Sequence, residues 1–432
     1  MSTTNPPSKP DLAQIREWLG QVRDAENTMD FEAVADLSRQ ALNALNVTEE
    51  SPARDAMQNA AFRSLIRALE RLGRFDQAQD AIKLWQERTK NPESLIDLQI
   101  VHGRVLLRQG NFNQALAVLE EAVSRAEAQS YLRGMGEAYQ TQANVLWALG
   151  RSEQALMLGR QALTIFRQMS DPQLQAQAHI AIAGASHYMG RFYEAIEHSR
   201  RAAHLFESLG NEYGMAVAYS NLGESYQQLY DMENALKYHQ KAYEISGPER
   251  ANADLIRNLG VDMIGVGRVE EGLMYLNQAL EKSRTDGERD LFFQALHSLA
   301  SAHLALGNIP EAHRLAEELL AEAHQLDAIR HIIRATLILG HCARAEGDTV
   351  SAQEYLHEGF MAAQRASDKT IIWQTHAALA DLLMDSQPAM AQVHRNIATE
   401  MVRTIAASIE DDRLRRIFQQ AEPVHALLGG AD

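Results

Sequence analysis

Five arginines recur at helical spacing in the first quarter of the chain. They are Arg63, Arg67, Arg71, Arg104 and Arg108. Residues four apart lie on one face of an α-helix, so each group presents its guanidinium groups together. Guanidinium groups bind carboxylates and phosphates through paired hydrogen bonds. These arginines are therefore candidates for holding an acidic group. The alternative is that they lie in solvent or pair with acids such as Glu70 and Asp97.

Few other residues of the sequence have the types and spacing of a catalytic or metal-binding site. The chain has one cysteine, Cys342, which excludes a disulfide framework and fits a buried thiol in a reducing compartment. Neither a GxxxxGK[ST] phosphate loop nor an HExxH zinc motif occurs, although there are 16 histidines. We therefore expect no catalytic residues, no metal and no cofactor, and predict that the protein is not an enzyme.

The net charge of the chain limits the kinds of partner that it is expected to bind. Lys plus Arg is 41 and Asp plus Glu is 57, so the net charge is −16, which disfavours binding to nucleic acid or to an anionic membrane. No apolar stretch approaches 18 residues, so we expect no transmembrane helix. Residues 1–10 are polar and proline-rich, unlike a signal peptide, which favours a cytoplasmic location. The oligomeric state is left open.

A short turn recurs along almost the whole chain. Its central residues are Gly73, Gly110, Gly150, Gly190, Tyr230, Gly267, Gly307 and Gly347. Their spacings are 37, 40, 40, 40, 37, 40 and 40 residues. Such a period indicates a repeat array rather than the three globular domains that the length alone suggests.

Small residues keep the phase of this turn. Ala or Gly stands five residues after all eight turns and seven residues before seven of them, Ile66 being the exception. Because glycine inside a helix costs about 1 kcal/mol relative to alanine, its repeated use implies a packing role. Each unit is therefore predicted to be two antiparallel helices that cross closely at the small residues. The fold class is all-α.

The pattern resembles the tetratricopeptide repeat (TPR). The clearest copy runs from Ala218 to Tyr226 and continues through Ala235 to Ala242. A 40-residue period is similar to the repeats of Pins-type scaffolds, kinesin light chains and bacterial MalT-like regulators. The resemblance implies an α-solenoid, a right-handed superhelix of antiparallel helix hairpins whose first helices line the concave groove.

Three segments follow from the repeat. Residues 1–10 are expected to be a disordered lead-in. Asp11 follows it and is suited to cap the first helix. Residues 11–407 are predicted to form one solenoid of about ten hairpins. Residues 408–432 contain an amphipathic segment, residues 411–418, that is expected to pack on the final hairpin as a cap.

The TPR resemblance indicates which side chains face the groove. Asn221 and Asn258 match positions that contact extended peptides in related scaffolds, or they bond within the array. Trp147 and Tyr188 are candidates for an aromatic floor, or for the core between helices. The predicted groove residues are Arg63, Arg67, Arg71, Arg104, Arg108, Gln140, Asn144, Trp147, His187, Tyr188, Asn221, Glu224 and Asn258.

These features predict a noncatalytic protein–protein interaction scaffold that holds an extended peptide or a partner helix in its groove. Its partner is expected to be a protein or peptide, with acidic groups selected by the arginines. One alternative is a regulatory sensor that responds to a small ligand or signalling peptide. Another is an assembly subunit that uses its convex face or its C-terminal helix.

Overall fold

The computed structural model describes residues 11–365, 369–384 and 387–429, so the predicted lead-in, residues 1–10, lies outside it. The described residues form 22 α-helices and no strand, which confirms the all-α class. The helices are α1 (Leu12–Asn27), α2 (Phe31–Leu45), α3 (Pro52–Arg71), α4 (Phe75–Arg88), α5 (Pro92–Arg108), α6 (Phe112–Ala128), α7 (Leu132–Ala148), α8 (Ser152–Gln168), α9 (Pro172–Tyr188), α10 (Phe192–Ser208), α11 (Glu212–Gln228), α12 (Met232–Ser246), α13 (Ala253–Gly265), α14 (Val269–Asp286), α15 (Arg289–Ala305), α16 (Ile309–Gln325), α17 (Ile329–Glu346), α18 (Thr349–Ala363), α19 (Lys369–Leu383), α20 (Pro388–Ala407), α21 (Asp412–Gln420) and α22 (Glu422–Leu428).

The first twenty helices follow one another as ten hairpins, α1–α2 through α19–α20. Asp11 caps α1, as its position suggests, because its carboxylate accepts a hydrogen bond of 2.8 Å from the backbone N–H of Gln14. The described chain divides into two compact units. Unit 1 comprises the residues up to Ile182 together with Arg201–Met215, and unit 2 comprises Ala183–Arg200 and the residues from Ala216 onward.

The turns within the hairpins explain the recurring glycine. All seven turn glycines have φ between 69° and 87°, a left-handed conformation that only glycine adopts at little cost. Tyr230 takes the same conformation, with φ 60°, despite its side chain. The turns between hairpins contain further left-handed residues, among them Ser130, Ser170 and Asp327, that the sequence pattern does not reveal.

The small residues before each turn allow the two helices of a hairpin to touch. A Cβ atom added to Gly103 would lie 2.6 Å from Leu119 Cγ, and one added to Gly340 would lie 2.7 Å from Leu356 Cγ. At Gly260 the contact would be with backbone, because an added Cβ would lie 2.8 Å from the backbone oxygen of Gly272. The predicted close crossing of helices is therefore confirmed.

The C-terminal segment reaches further than predicted. Helices α21 and α22 pack on α20, and they also join a core in unit 2 that includes Phe192 of α10 and Leu222 of α11. The ring of Phe418 in α21 lies 6.3 Å from that of Tyr230, centroid to centroid. The expected cap on the final hairpin thus extends to a turn four hairpins earlier, because Tyr230 gives α21 a second apolar surface.

Replacing Gly260 by alanine should lower the free energy of unfolding by about 1–3 kcal/mol, because the added methyl meets a backbone oxygen that cannot rotate away. The matched control is Gly184→Ala in α9, where nothing lies within 4 Å of the new Cβ. That variant should be neutral or slightly more stable. Urea unfolding followed by circular dichroism measures both changes, and equal effects would contradict the proposed crossing.

Candidate functional site

The five predicted arginines come together in unit 1, three on α3 and two on α5. We call Arg63, Arg67, Arg71, Arg104 and Arg108 the arginine cluster. Arg63 Nη1 lies 3.0 Å from Asp97 Oδ1 of α5, and Arg63 Nη2 also contacts Glu137 of α7. Burial alone would lower the pKa of Arg63, but Glu137 and Asp97 raise it above its ordinary value. Three neighbouring first helices are therefore joined at one guanidinium group.

Neighbouring groups hold the acids around Arg63 in place. Asp97 accepts a hydrogen bond of 2.8 Å from Asn59 Nδ2 and another of 3.1 Å from the hydroxyl of Tyr131. Burial opposes the charge of Glu137, but Arg63 and Arg133 lower its pKa to about 2. This part of the cluster is a closed ionic network.

A second carboxylate holds the arginines of α5. Glu70 is buried, and its two oxygens accept hydrogen bonds of 3.0 Å from Arg104 Nε and 3.2 Å from Arg108 Nε. Burial raises the pKa of Glu70, but Arg104, Arg71 and Arg108 lower it overall. The two α5 arginines are thus oriented by one acid from α3.

Two arginines of the cluster have N–H groups without hydrogen-bond acceptors among the described residues. Arg67 Nη1 lies 3.6 Å from Glu26 Oε1, which is an ion pair without a hydrogen bond. Burial and the repulsion of Arg104 and Arg63 lower the pKa of Arg67. Arg104 Nη2 is buried and has no hydrogen-bond partner among the described residues.

Charge is also unbalanced here. The arginine cluster and Arg133 make six cations. Five of them form ion pairs with four carboxylates, and the sixth, Arg71, acts on Glu70 without forming an ion pair. The carboxylates are Glu26, Glu70, Asp97 and Glu137. The excess of two positive charges stands out in a chain of net charge −16. An anion beside Arg67 and Arg104 would balance it.

The remaining predicted residues of unit 1 lie on α7. Gln140 and Asn144 are half-buried, and Trp147 is 38% exposed.

Arg71, at the end of α3, stacks on the ring of Tyr213 at 4.8 Å. The sequence pattern did not single out Tyr213, because it lies 142 residues away from its partner.

In unit 2, His187 and Tyr188 end α9. His187 Nδ1 lies 3.4 Å from the hydroxyl of Ser225 on α11, and its ring meets that of Phe192 edge-on. The guanidinium group of Arg330 lies 5.2 Å from the ring centroid of Tyr188. Tyr188 is thus half-buried beneath a cation rather than packed in an apolar core.

Asn221, Glu224 and Asn258 lie on the first helices α11 and α13 of unit 2. Asn221 and Glu224 are half-buried, whereas Asn258 is completely buried. Asn258 Oδ1 accepts a hydrogen bond of 2.6 Å from Arg257 Nη2, which also donates to Asp254 Oδ1 at 2.8 Å. The sequence reasoning missed Arg257 and Asp254, although Arg257 stands ten residues before a turn, as Arg63 and Gln140 do.

Glu224 in unit 2 lies in an environment that is poorly suited to a negative charge. Burial, followed by repulsion from Asp254, raises the pKa of Glu224 to about 7, and His239 and Arg257 oppose the shift only partly. The carboxyl group therefore holds a proton near neutral pH.

This shift predicts how Glu224→Gln changes stability with pH. The native carboxyl binds its proton more tightly than the unfolded chain does, so wild-type stability falls as pH rises from about 4.5 to about 7. Glutamine removes that loss, so the variant should gain on the wild type by an amount on the order of 1–3 kcal/mol between pH 5 and pH 8. Urea unfolding at both pH values measures it. The exposed control Glu244→Gln should show no such trend, and an equal difference at both pH values would contradict the assignment.

The described helices offer little for metal or membrane binding. Within the described ranges, no three His, Cys, Asp or Glu side chains gather as a metal-binding set. None of the described helices combines the length and apolarity needed to cross a bilayer. Cys342 is buried, as predicted, and burial raises the pKa of its thiol to about 11.

Comparison with known families matches the tetratricopeptide repeat model to residues 94–168, 174–246 and 294–318. The matched segments are tetratricopeptide repeats. A curated relative, kinesin light chain-related protein 1 of Arabidopsis thaliana, is 26% identical over 186 residues. That match spans 40% of this chain and 30% of the relative.

Several solved structures share the fold of this chain. A Rap protein complexed with competence and sporulation factor has a TM-score of 0.56 at 15% identity, covering 82% of this chain and all of that one. The apo quorum sensor NprR from B. thuringiensis has a TM-score of 0.56 at 13% identity, covering 81% and 99%. NprR bound to its cognate peptide NprX has a TM-score of 0.52 at 13% identity, covering 84% and 99%. The predicted TPR-type α-solenoid is therefore confirmed.

Proposed function

We propose that this protein is a noncatalytic interaction scaffold that binds an extended peptide or a partner segment bearing acidic groups. The arginine cluster of α3 and α5 is the surface that selects those groups. The observation that carries the proposal is the excess of positive charge there, together with the unfilled donors of Arg67 and Arg104.

The two kinds of arginine have different roles in this proposal. Arg63 is held by Asp97 and Glu137, and it fixes the spacing of the three first helices. Arg67 and Arg104 lack full complements of acceptors, so a carboxylate from a ligand would gain charge-assisted hydrogen bonds with them. Of these donors, Arg104 Nη2 is buried, whereas the Arg67 side chain is 33% exposed. Hydrogen bonds to charged groups contribute about 1.5–3 kcal/mol each.

Similar folds support a peptide ligand. The solved relatives include NprR with its cognate peptide and a Rap protein with competence and sporulation factor. We propose a cytoplasmic location for this protein, with no direct role for nucleic acid or membrane, on the basis of its net charge of −16.

The test replaces the two arginines with unfilled donors. A fluorescein-labelled 12-residue peptide of alternating Glu and Ala serves as the probe, and fluorescence anisotropy gives its affinity. Arg67→Gln and Arg104→Gln should each weaken binding about tenfold and reduce its dependence on salt. Their matched control is Arg125→Gln, an arginine of α6 that is 47% exposed and lies on a second helix.

Two outcomes would contradict this assignment. Unchanged affinity in both cluster variants would show that acidic groups bind elsewhere. An equal loss in Arg125→Gln would show that the probe responds only to overall charge. Circular dichroism of each variant identifies any loss of fold, since Arg67 and Arg104 lie on helices with buried neighbours.

A regulatory sensor is the second candidate, and paired contacts within the units favour it. Arg71 stacks on Tyr213 in unit 1, and Arg330 stacks on Tyr188 in unit 2. Each pair joins a residue two before a turn to a residue 17 before the turn four hairpins later. A ligand that separated these pairs would increase the pitch of the superhelix. Small-angle scattering with and without the acidic probe would measure the change.

Assembly through the C-terminal helix receives less support. The apolar residues Leu414 and Phe418 of α21 are buried against unit 2 of the same chain. This contact leaves the polar face of α21 for any partner. Assembly through the convex face stays a prediction, which light scattering of the intact chain would check.

A further inference from the structure

The arginine cluster has a closed part and an accessible part. Arg63 belongs to the closed part, because its two Nη atoms are occupied by Asp97 and Glu137 and its side chain is mostly buried. Arg67 on α3 and Arg104 on the neighbouring first helix α5 are more accessible, with side chains that are 33% and 24% exposed. A ligand can therefore reach the cluster at Arg67 and Arg104.

The accessible part lacks hydrogen-bond acceptors. Arg67 makes no hydrogen bond with any residue that the structure describes, and its ion-pair partner Glu26 lies 3.6 Å away. Arg104 Nε donates to Glu70 at 3.0 Å, but the buried Nη2 atom of Arg104 has no acceptor among the described residues. Because buried donors are nearly always satisfied in folded proteins, this one indicates a place for an acceptor from outside the chain.

Repulsion between guanidinium groups adds to the lack of acceptors. Burial lowers the pKa of Arg67 most, and Arg104 and Arg63 lower it further against the attraction of Glu26. The charges of Arg67 and Arg104 are thus close enough to repel each other from two neighbouring helices. An anion in contact with both would replace this repulsion with two attractions.

The missing negative charge amounts to two units. In this part of unit 1, six arginines face four carboxylates. One carboxylate from a ligand would supply a single unit and leave the other unbalanced. A phosphate monoester carries a charge of about −1.5 to −2 at pH 7 and has three strong acceptor oxygens. One phosphate group therefore supplies both the charge and the acceptors that two guanidinium groups need.

Two carboxylates of one peptide are the competing source of two charges. Successive side chains of an extended peptide point to opposite sides, so only residues two apart face the same surface, about 7 Å from each other. Two such carboxylates would repel each other beside a single pair of arginines. A phosphate group carries both charges on one set of oxygens, so it fits the paired donors of Arg67 and Arg104 better.

We propose that Arg67 and Arg104 form a subsite for a phosphorylated residue of the bound peptide. Its phosphate oxygens accept hydrogen bonds from Arg104 Nη2 and from the guanidinium group of Arg67, while Glu70 orients Arg104 through Nε. The subsite rests on the proposed function, since it names the acidic group that the arginine cluster selects.

The experiment uses the full chain and four fluorescein-labelled 12-residue peptides of alternating Gln and Ala. Their central residue is serine, glutamate, O-sulfoserine or phosphoserine. Sulfoserine has the tetrahedral shape of phosphoserine but only one negative charge. Fluorescence anisotropy in a buffer without phosphate should show that the phosphoserine peptide binds at least about tenfold more tightly than the glutamate and sulfoserine peptides.

Arginine variants locate the preference. Arg67→Gln removes one of the two excess charges, so the phosphoserine and sulfoserine peptides should then bind with affinities within about threefold of each other. Arg67→Lys keeps the charge and should retain part of the preference, which separates loss of charge from loss of fold. Arg104→Gln should act like Arg67→Gln, whereas the control Arg125→Gln, on the second helix α6, should leave the preference unchanged.

Equal binding of the phosphoserine, sulfoserine and glutamate peptides would overturn the subsite but leave the binding of acidic peptides in place. A preference for phosphoserine that survives both Arg67→Gln and Arg104→Gln would also overturn it. Competition by inorganic phosphate separates a phosphorylated residue from free phosphate, because equal affinities of the two would overturn the assignment to a peptide. If the peptide of alternating Glu and Ala also fails to bind, the proposed function fails as well.

Discussion

Close contact between the two helices of each hairpin is the constraint on which this structure depends. A glycine or alanine seven residues before the turn lets the second helix approach, and a leucine such as Leu119 or Leu276 fills the space against it. The left-handed turn glycine reverses the chain within two residues. Because these two features recur with the same phase, the first helices of neighbouring hairpins present equivalent positions side by side.

Polar side chains at those positions then determine what each unit can bind. In unit 1, buried acids such as Glu70 orient arginines that would otherwise repel one another. The arginines outnumber the carboxylates that they face, and Arg67 and Arg104 have N–H groups without hydrogen-bond acceptors. In unit 2, burial and the neighbouring Asp254 raise the pKa of Glu224 to about 7. The arginine cluster is held by partners within its own unit, so its geometry precedes any ligand.

Sequence alone was sufficient for features that recur with the repeat. Turn glycines and the small residues at the crossings could be predicted because their spacing is fixed. Of the two acids that hold Arg63, Asp97 was named from the sequence as a possible partner of the arginines. Glu137 could not be, since it lies 74 residues from Arg63 and nothing local links the two. The pairing of His239 with Asp262 was missed because the residue nine positions after the turn varies between hairpins, from Leu276 to Ser199, and so gives no regular signal. The left-handed Ser130 was missed because it is not glycine.

Chemical footprinting of arginines tests the central claim most directly. Phenylglyoxal modifies accessible guanidinium groups, and mass spectrometry reports each site in the presence and absence of the acidic 12-residue peptide. The account predicts that the peptide protects Arg67 and Arg104, while Arg125 on a second helix reacts at an unchanged rate. Equal reaction of Arg67 and Arg104 with and without bound peptide would contradict it.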